Sequence, residues 1–110
     1  MAPQQTSHIL PTRDPGRLKA DLCKALLAPR DESEMSRLLG DLCTPAEIRT
    51  LAERWHVARL LDATKLSYRE IHDATGASTT TIVRVARFLR QEAHQGYRLA
   101  IDAMELHDVR

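Results

Sequence analysis

Apolar residues recur along this chain at helical spacing, in stretches separated by short polar segments that carry helix-capping residues. Six helices are predicted. The first opens at Asp14-Pro15 and runs to Ala28, with Leu18, Leu22, Ala25 and Leu26 on one face and Pro29 beyond its end. The second spans about Asp31 to Cys43, with Met35, Leu38, Leu39 and Leu42 as its buried stripe. Thr44-Pro45-Ala46-Glu47 then joins an N-cap Thr, a Pro at the first helical position and a Glu that reaches back to the cap. Such a capping box starts a third helix, which runs to about Ala63. Its apolar positions, Ile48, Leu51, Ala52, Trp55, Ala58 and Leu60 or Leu61, form a band too wide for a helix packed on one side, as expected of a central element shared with a second subunit.

Ser67-Tyr68-Arg69-Glu70 repeats the capping box, and Thr75-Gly76 ends the fourth helix, because Gly adopts the left-handed conformation that closes a helix. Ser78 caps a fifth helix to Gln91. Gly96 interrupts the pattern, and a sixth helix follows from about Tyr97 to His107, with Tyr97, Ala100 or Met104, and Ile101 along one side. Residues 1–14 hold Pro3, Pro11 and polar residues without an apolar period and read as a flexible arm; residues 15–108 read as a single helical domain.

Two short capped helices joined by a Gly-containing turn define a helix-turn-helix over about 67–91, whose second helix enters the DNA major groove. Ile71 and Ala74 are expected to face inward from the first helix, and Ile82, Val85, Ala86 and Leu89 from the second. The opposite face of that second helix carries Thr80, Arg84, Arg87 and Gln91 at i, i+4, i+7 and i+11. Ser78, Thr79, Thr80 and Thr81 bring small hydroxyls to the helix N-terminus, where free backbone N–H groups and the positive dipole end favour phosphate and hydroxyls reach base edges. Arg69, on the first helix, is placed for the backbone or an adjacent base. The DNA-binding set is therefore Arg69, Ser78, Thr79, Thr80, Thr81, Arg84 and Arg87. The competing reading of the same residues is a helical hairpin with a merely solvated polar face.

Charge distribution favours the DNA reading. Net charge is only +1, but five basic and two acidic side chains lie between Lys65 and Gln91, a net of +3, and no acid occurs from Ala74 to Gln91. Composition narrows the remaining classes. A chain of 110 residues with only four aromatic residues, Trp55, Tyr68, Phe88 and Tyr97, builds a modest core from Leu, Ala, Ile and Val, which suits helices. Cys23 and Cys43 form neither a CxxC pair nor a zinc-finger spacing with His, so no metal site is expected and both are assigned to a reduced core. Without a secretion signal or an apolar run of about 18 residues, the expected location is the cytoplasm, with no membrane partner. The five His residues are scattered and no nucleophile elbow or phosphate loop occurs, so an enzyme is not expected. A helical protein-interaction module is the rival that low net charge favours.

These residues resemble the Trp-repressor-like family, in particular its YerC/YecD-type branch. The likeness rests on Leu42-Cys43-Thr44-Pro45-Ala46-Glu47, Arg54, Ser67-Tyr68-Arg69-Glu70, the run from Gly76 to Arg84, Val85-Ala86-Arg87-Phe88-Leu89, and Gly96-Tyr97 ahead of an amphipathic helix, and it covers about residues 15 to 106. It implies an all-α, six-helix fold, an intertwined homodimer, and a transcriptional regulator, a repressor, that reads double-stranded DNA at half-sites one helical turn apart. Arg69 and Thr81 match the family's DNA-contact pattern, and Thr79 and Thr80 its base-facing positions; His72 replaces a Lys and Val83 a phosphate-contacting Thr. Thr44, Arg54, Thr81 and Arg84 match the family's corepressor site, which makes Thr44, Arg54 and Arg84 candidate ligand residues. Val85 and Phe88, however, stand where the family's Gly and Ser leave room for an indole. A filled slot is expected, with no resident cofactor and no tryptophan; a regulator answering another small molecule is the alternative.

Overall fold

The computed structural model describes residues 9–108; residues 1–8, most of the expected arm, lie outside it. Every regular element among the described residues is an α-helix, in the order α1 (Pro15–Leu26), α2 (Glu32–Leu42), α3 (Pro45–Ala63), α4 (Tyr68–Thr75), α5 (Thr79–Arg90) and α6 (Gly96–Asp108). Packing divides the chain into two units, one up to Leu42 and one from Cys43.

In the first unit both helices are started by aspartates. Asp14 accepts the Arg17 N–H at 2.9 Å, and Asp31 accepts that of Glu34 at 2.9 Å. Arg30 clasps Glu34 from outside at 2.7 Å, which holds the Glu34 carboxyl below its ordinary value. Helix α1 ends at Leu26, two residues short of the expected Ala28, ahead of Pro29. Neither helix buries a residue: Leu18, Leu22 and Leu42 are exposed, while Leu26, Met35, Leu38 and Leu39 are half-buried. Cys23, expected in the core, is exposed, because it sits on an α1 that has no core to enter.

The second unit contains the core. Capping boxes start α3 and α4 as predicted: Thr44 accepts the Glu47 N–H at 3.1 Å and Glu47 accepts that of Thr44 at 2.8 Å, while Ser67 and Glu70 exchange the same bonds at 3.1 and 2.9 Å. Gly76 closes α4 with φ of 77°. Helix α5 packs on α3, α4 and α6, enclosing Val57, Ala58, Leu61, Ile71, Ala77, Ile82, Val85, Ala86, Leu89 and Ile101. The four predicted inward residues of α5 are all buried.

Burial on α3 is confined to its second half, where Val57 joins the expected Ala58 and Leu61; Leu51, upstream, stays 48% exposed. Ala74 faces solvent, and the inward position falls to Ala77, which the left-handed turn at Gly76 swings into the core. The break before α6 lies at Gln95, with φ of 52°, and Gly96 is already helical. Arg98 ties α6 to α3 by bonds to Asp62 at 2.6 and 3.3 Å and also holds Asp102. Its guanidinium keeps the Asp62 carboxyl below the ordinary Asp value. Trp55 and Tyr97 meet beside this pair with ring centroids 6.3 Å apart.

Candidate nucleic-acid interface

The turn between α4 and α5 is cross-braced, which fixes how α5 is presented. The Thr75 hydroxyl donates to the Ile71 carbonyl at 2.7 Å and accepts the Ala77 N–H at 3.1 Å. His72 reaches across the turn, its Nδ1 lying 2.7 Å from the Ala77 carbonyl oxygen. A carbonyl only accepts, so Nδ1 carries the proton in this bond. With Gly76 and the buried Ala77, these bonds leave the turn little freedom. The His72 bond was not legible in the sequence, where His72 figures only as a replacement for Lys.

At the start of α5, Ser78 accepts the Thr81 N–H at 3.1 Å and donates its own proton to the Thr81 hydroxyl at 3.0 Å. Ser78 is therefore first a cap. Thr79 and Thr80 stand exposed on the same turn, and Thr81 is half-buried beside them. Arg84 and Arg87 are exposed one and two turns further on, and Arg69 is exposed on α4. Apart from the half-buried Thr81, the seven predicted DNA-binding residues thus lie in solvent on the two helices that the braced turn joins. The pattern of burial on α5 agrees with this division, since Ile82, Val85, Ala86 and Leu89 occupy its other side.

Two features of this face escaped the sequence reading. Phe88 is half-buried, and both arginines rest on its ring: the Arg84 guanidinium carbon is 4.4 Å from the ring centroid and that of Arg87 is 5.1 Å away. The His94 imidazole lies parallel to the same ring, with centroids 6.1 Å apart and planes 3° from parallel. The i, i+4 spacing of Arg84 and Phe88 was available as a signal. The second feature is Glu92, just beyond the acid-free stretch, whose carboxylate lies 3.6 Å from Nε of Arg87. Glu70, in contrast, is committed to its cap, and the bonds it makes with Ser67 hold its carboxyl below the ordinary value.

The candidate ligand residues do not share one site within this chain. Thr44 is exposed and uses its hydroxyl to cap α3. Arg54 is half-buried and borders an open hollow of about 340 Å³ lined also by Cys43, Ala46, Glu47, Thr50 and Leu51. Arg84 is not among its walls but lies on Phe88. Among the described residues, His, Cys, Asp and Glu form no cluster able to hold a metal ion, and no helix is long and apolar enough to cross a membrane.

Comparison with known proteins agrees with this geometry. The family model described as Trp repressor protein matches residues 18–105. The chain is 39% identical over 90 residues to the uncharacterized protein YerC of Bacillus subtilis (strain 168), covering 82% of this chain and 85% of that one. Among solved structures it is similar to a candidate Trp repressor from Staphylococcus aureus, with a TM-score of 0.75 at 33% identity over 82% of this chain and 88% of that one. A TrpR-like protein from Eubacterium eligens gives a TM-score of 0.74 at 34% identity, covering 81% of this chain and 90% of that one.

Proposed function

Because the chain belongs to the Trp repressor family, we propose that it is a sequence-specific transcriptional regulator, a repressor, that reads the major groove of double-stranded DNA as a cytoplasmic homodimer. The observation that carries this reading is the exposed face of α5. Thr79, Thr80, Arg84 and Arg87 stand in solvent on a helix whose other side is locked into the core, behind a turn braced by Thr75 and His72. Small hydroxyls at the helix start approach bases closely, and the arginines farther along neutralise phosphates or grip guanine. Arg69 adds a cation on α4.

Support for a dimer comes from apolar faces that the single chain leaves bare. Leu18 and Leu22 on α1, Leu42 on α2 and Leu51 on α3 are 42–53% exposed, although α1 and α2 are amphipathic helices with an apolar side to cover and α3 carries apolar residues around much of its circumference. A second copy supplies that cover, and it places two α5 helices on one duplex.

Selection of bound sequences from a random duplex pool, repeated at two salt concentrations, tests the proposal. An enriched pseudo-palindrome with half-sites about one turn apart, bound less tightly as salt rises, is the expected result. No enrichment, with or without added tryptophan, would sink the DNA reading. The hollow beside Arg54 favours a second reading, a regulator that also answers a small anionic molecule other than tryptophan. Thermal-shift screening with small carboxylates, on the native chain and on Arg54→Ala, separates the two.

A further inference from the structure

We infer that Phe88 is a positioning residue for the reading face, holding Arg84 and Arg87 in fixed orientations so that this face is preset by the chain's own side chain. The inference rests on the DNA-reading role proposed for these arginines. Its geometry is independent of that role. Arginine carries a large rotamer entropy, and an exposed arginine samples many orientations before it meets a ligand. Here both guanidiniums lie well within the 6 Å reach of a cation–π contact on a single ring, at 4.4 and 5.1 Å.

The ring itself is held. Phe88 is half-buried, next in sequence to the core residue Leu89 and a turn beyond Val85. The His94 imidazole lies parallel to it, on the segment leading into α6. Phe88, His94, Gly96 and Tyr97 line one hollow of about 280 Å³, so the stack connects the α5 arginines to the part of the chain that starts α6. Glu92, on the same segment, lies 3.6 Å from Arg87 Nε without a hydrogen bond to it, so the ring is the main support of the two. Ordering the two arginines before binding lowers the entropy lost when they engage DNA, so the ring contributes to affinity without touching the duplex.

The test uses Phe88→Leu, which keeps apolar bulk without a π face, and Phe88→Tyr, which keeps the ring. In the free protein, 15N relaxation of the arginine Nε–H groups reads their order directly. Arg84 and Arg87 are expected to be markedly more ordered than the exposed Arg69 in the native chain and in Phe88→Tyr, and to match Arg69 in Phe88→Leu. Equal mobility of all three in the native chain, or no change in Phe88→Leu, overturns the proposal. Duplex binding supplies the second arm: losing the advance ordering of two arginines, at about 0.5 kcal/mol each, corresponds to a drop in affinity of about fivefold, restored by Phe88→Tyr. Undiminished affinity in Phe88→Leu also overturns it. A native chain that binds no duplex refutes the DNA reading, and the relaxation data still decide whether Phe88 orders the arginines. If Phe88→Leu melts early, Phe88→Met takes its place.

Discussion

Helices α1 and α2 are each started by a capping aspartate, yet they bury no residue, whereas α3 to α6 enclose ten. Local chemistry is similar in the two regions: Asp14 and Asp31 do for the first what Thr44, Ser67 and Ser78 do for the second. The difference lies in what surrounds the apolar faces. Ile71, Ile82 and Val57 are fully enclosed within one chain, while Leu18 and Leu22 repeat at the same helical spacing over solvent. Capping and periodicity therefore suffice to make a helix but leave open what it packs against. That choice is made by tertiary structure in one region and, on the reading proposed above, by a second chain in the other.

The sharpest way to break this comparison is to delete equal bulk from each region. Ile82→Ala, at a site with no exposure, is expected to cost about 2–5 kcal/mol in urea denaturation, enough to unfold much of a small domain. The matching Leu22→Ala tests whether α1 is covered. If a second copy lies over it, the loss of stability depends on protein concentration, and light scattering of Leu22→Glu gives the monomer mass where the native chain gives a dimer. A native chain that is monomeric at micromolar concentration, with a Leu22→Ala cost under about 0.5 kcal/mol at every concentration, would leave α1 truly uncovered.

A contrast within the second unit comes next. Arg84→Ala should weaken duplex binding by about tenfold and flatten its salt dependence, with thermal stability nearly unchanged because Arg84 is exposed and outside the core. An equal fall in stability would mean that the residue supports the fold and not the interface.

How far these features were legible follows their range along the chain. The helix start at Asp14-Pro15, the caps at Thr44, Ser67 and Ser78 and the left-handed Gly76 depend on residues at most four apart, and all were read correctly. The inward face of α5 was equally plain, since four apolar residues there share one side. The exchange of Ala74 for Ala77 was not, because it depends on the direction in which the chain leaves Gly76. Burial of Cys23 failed as an expectation for a related reason: a small apolar residue enters a core only where its helix has one. At the candidate interface, residue types at the spacing of one helix face marked the arginines. The i, i+4 spacing of Arg84 and Phe88 hinted at one contact, but that Arg87, the ring's chain neighbour, rests on the same ring depends on side-chain rotamers, and Glu92 lies just outside the window in which charge was counted.

The Arg98–Asp62 pair provides a smaller test, directed at how α6 is held. The folded-state Asp62 carboxyl lies below its ordinary value of 3.8, chiefly through its bond to Arg98. Its contribution is therefore fully present above that value and is lost as pH falls through the lower folded one. Stability near neutral pH should be flat with respect to this group, with a loss confined to the range below about pH 4. Asp62→Asn should cost about 1 kcal/mol at neutral pH and reduce the acid-side slope, since the pair is only partly shielded from water. Amide exchange along α6 would locate the effect; protection lost equally in every helix would show that the pair supports the whole unit and not one docking contact.

The smallest effect expected concerns Glu92, and it opposes the others in sign. Its carboxylate sits 3.6 Å from Arg87 Nε, with 38% of the Glu92 side chain and 58% of the Arg87 side chain exposed. An ion pair this open stabilises the fold by little, and salt screens it. On a face that meets phosphate, however, the carboxylate both repels the duplex and competes for a guanidinium that DNA needs. Glu92→Gln keeps the size and removes the charge. It should raise duplex affinity about twofold at low salt, with the gain shrinking as salt increases and with no change in thermal stability beyond about 0.5 kcal/mol. A gain that persists undiminished at high salt would point to altered shape and not to charge. A loss of affinity would mean that Glu92 helps to orient Arg87, joining Phe88 as part of its support.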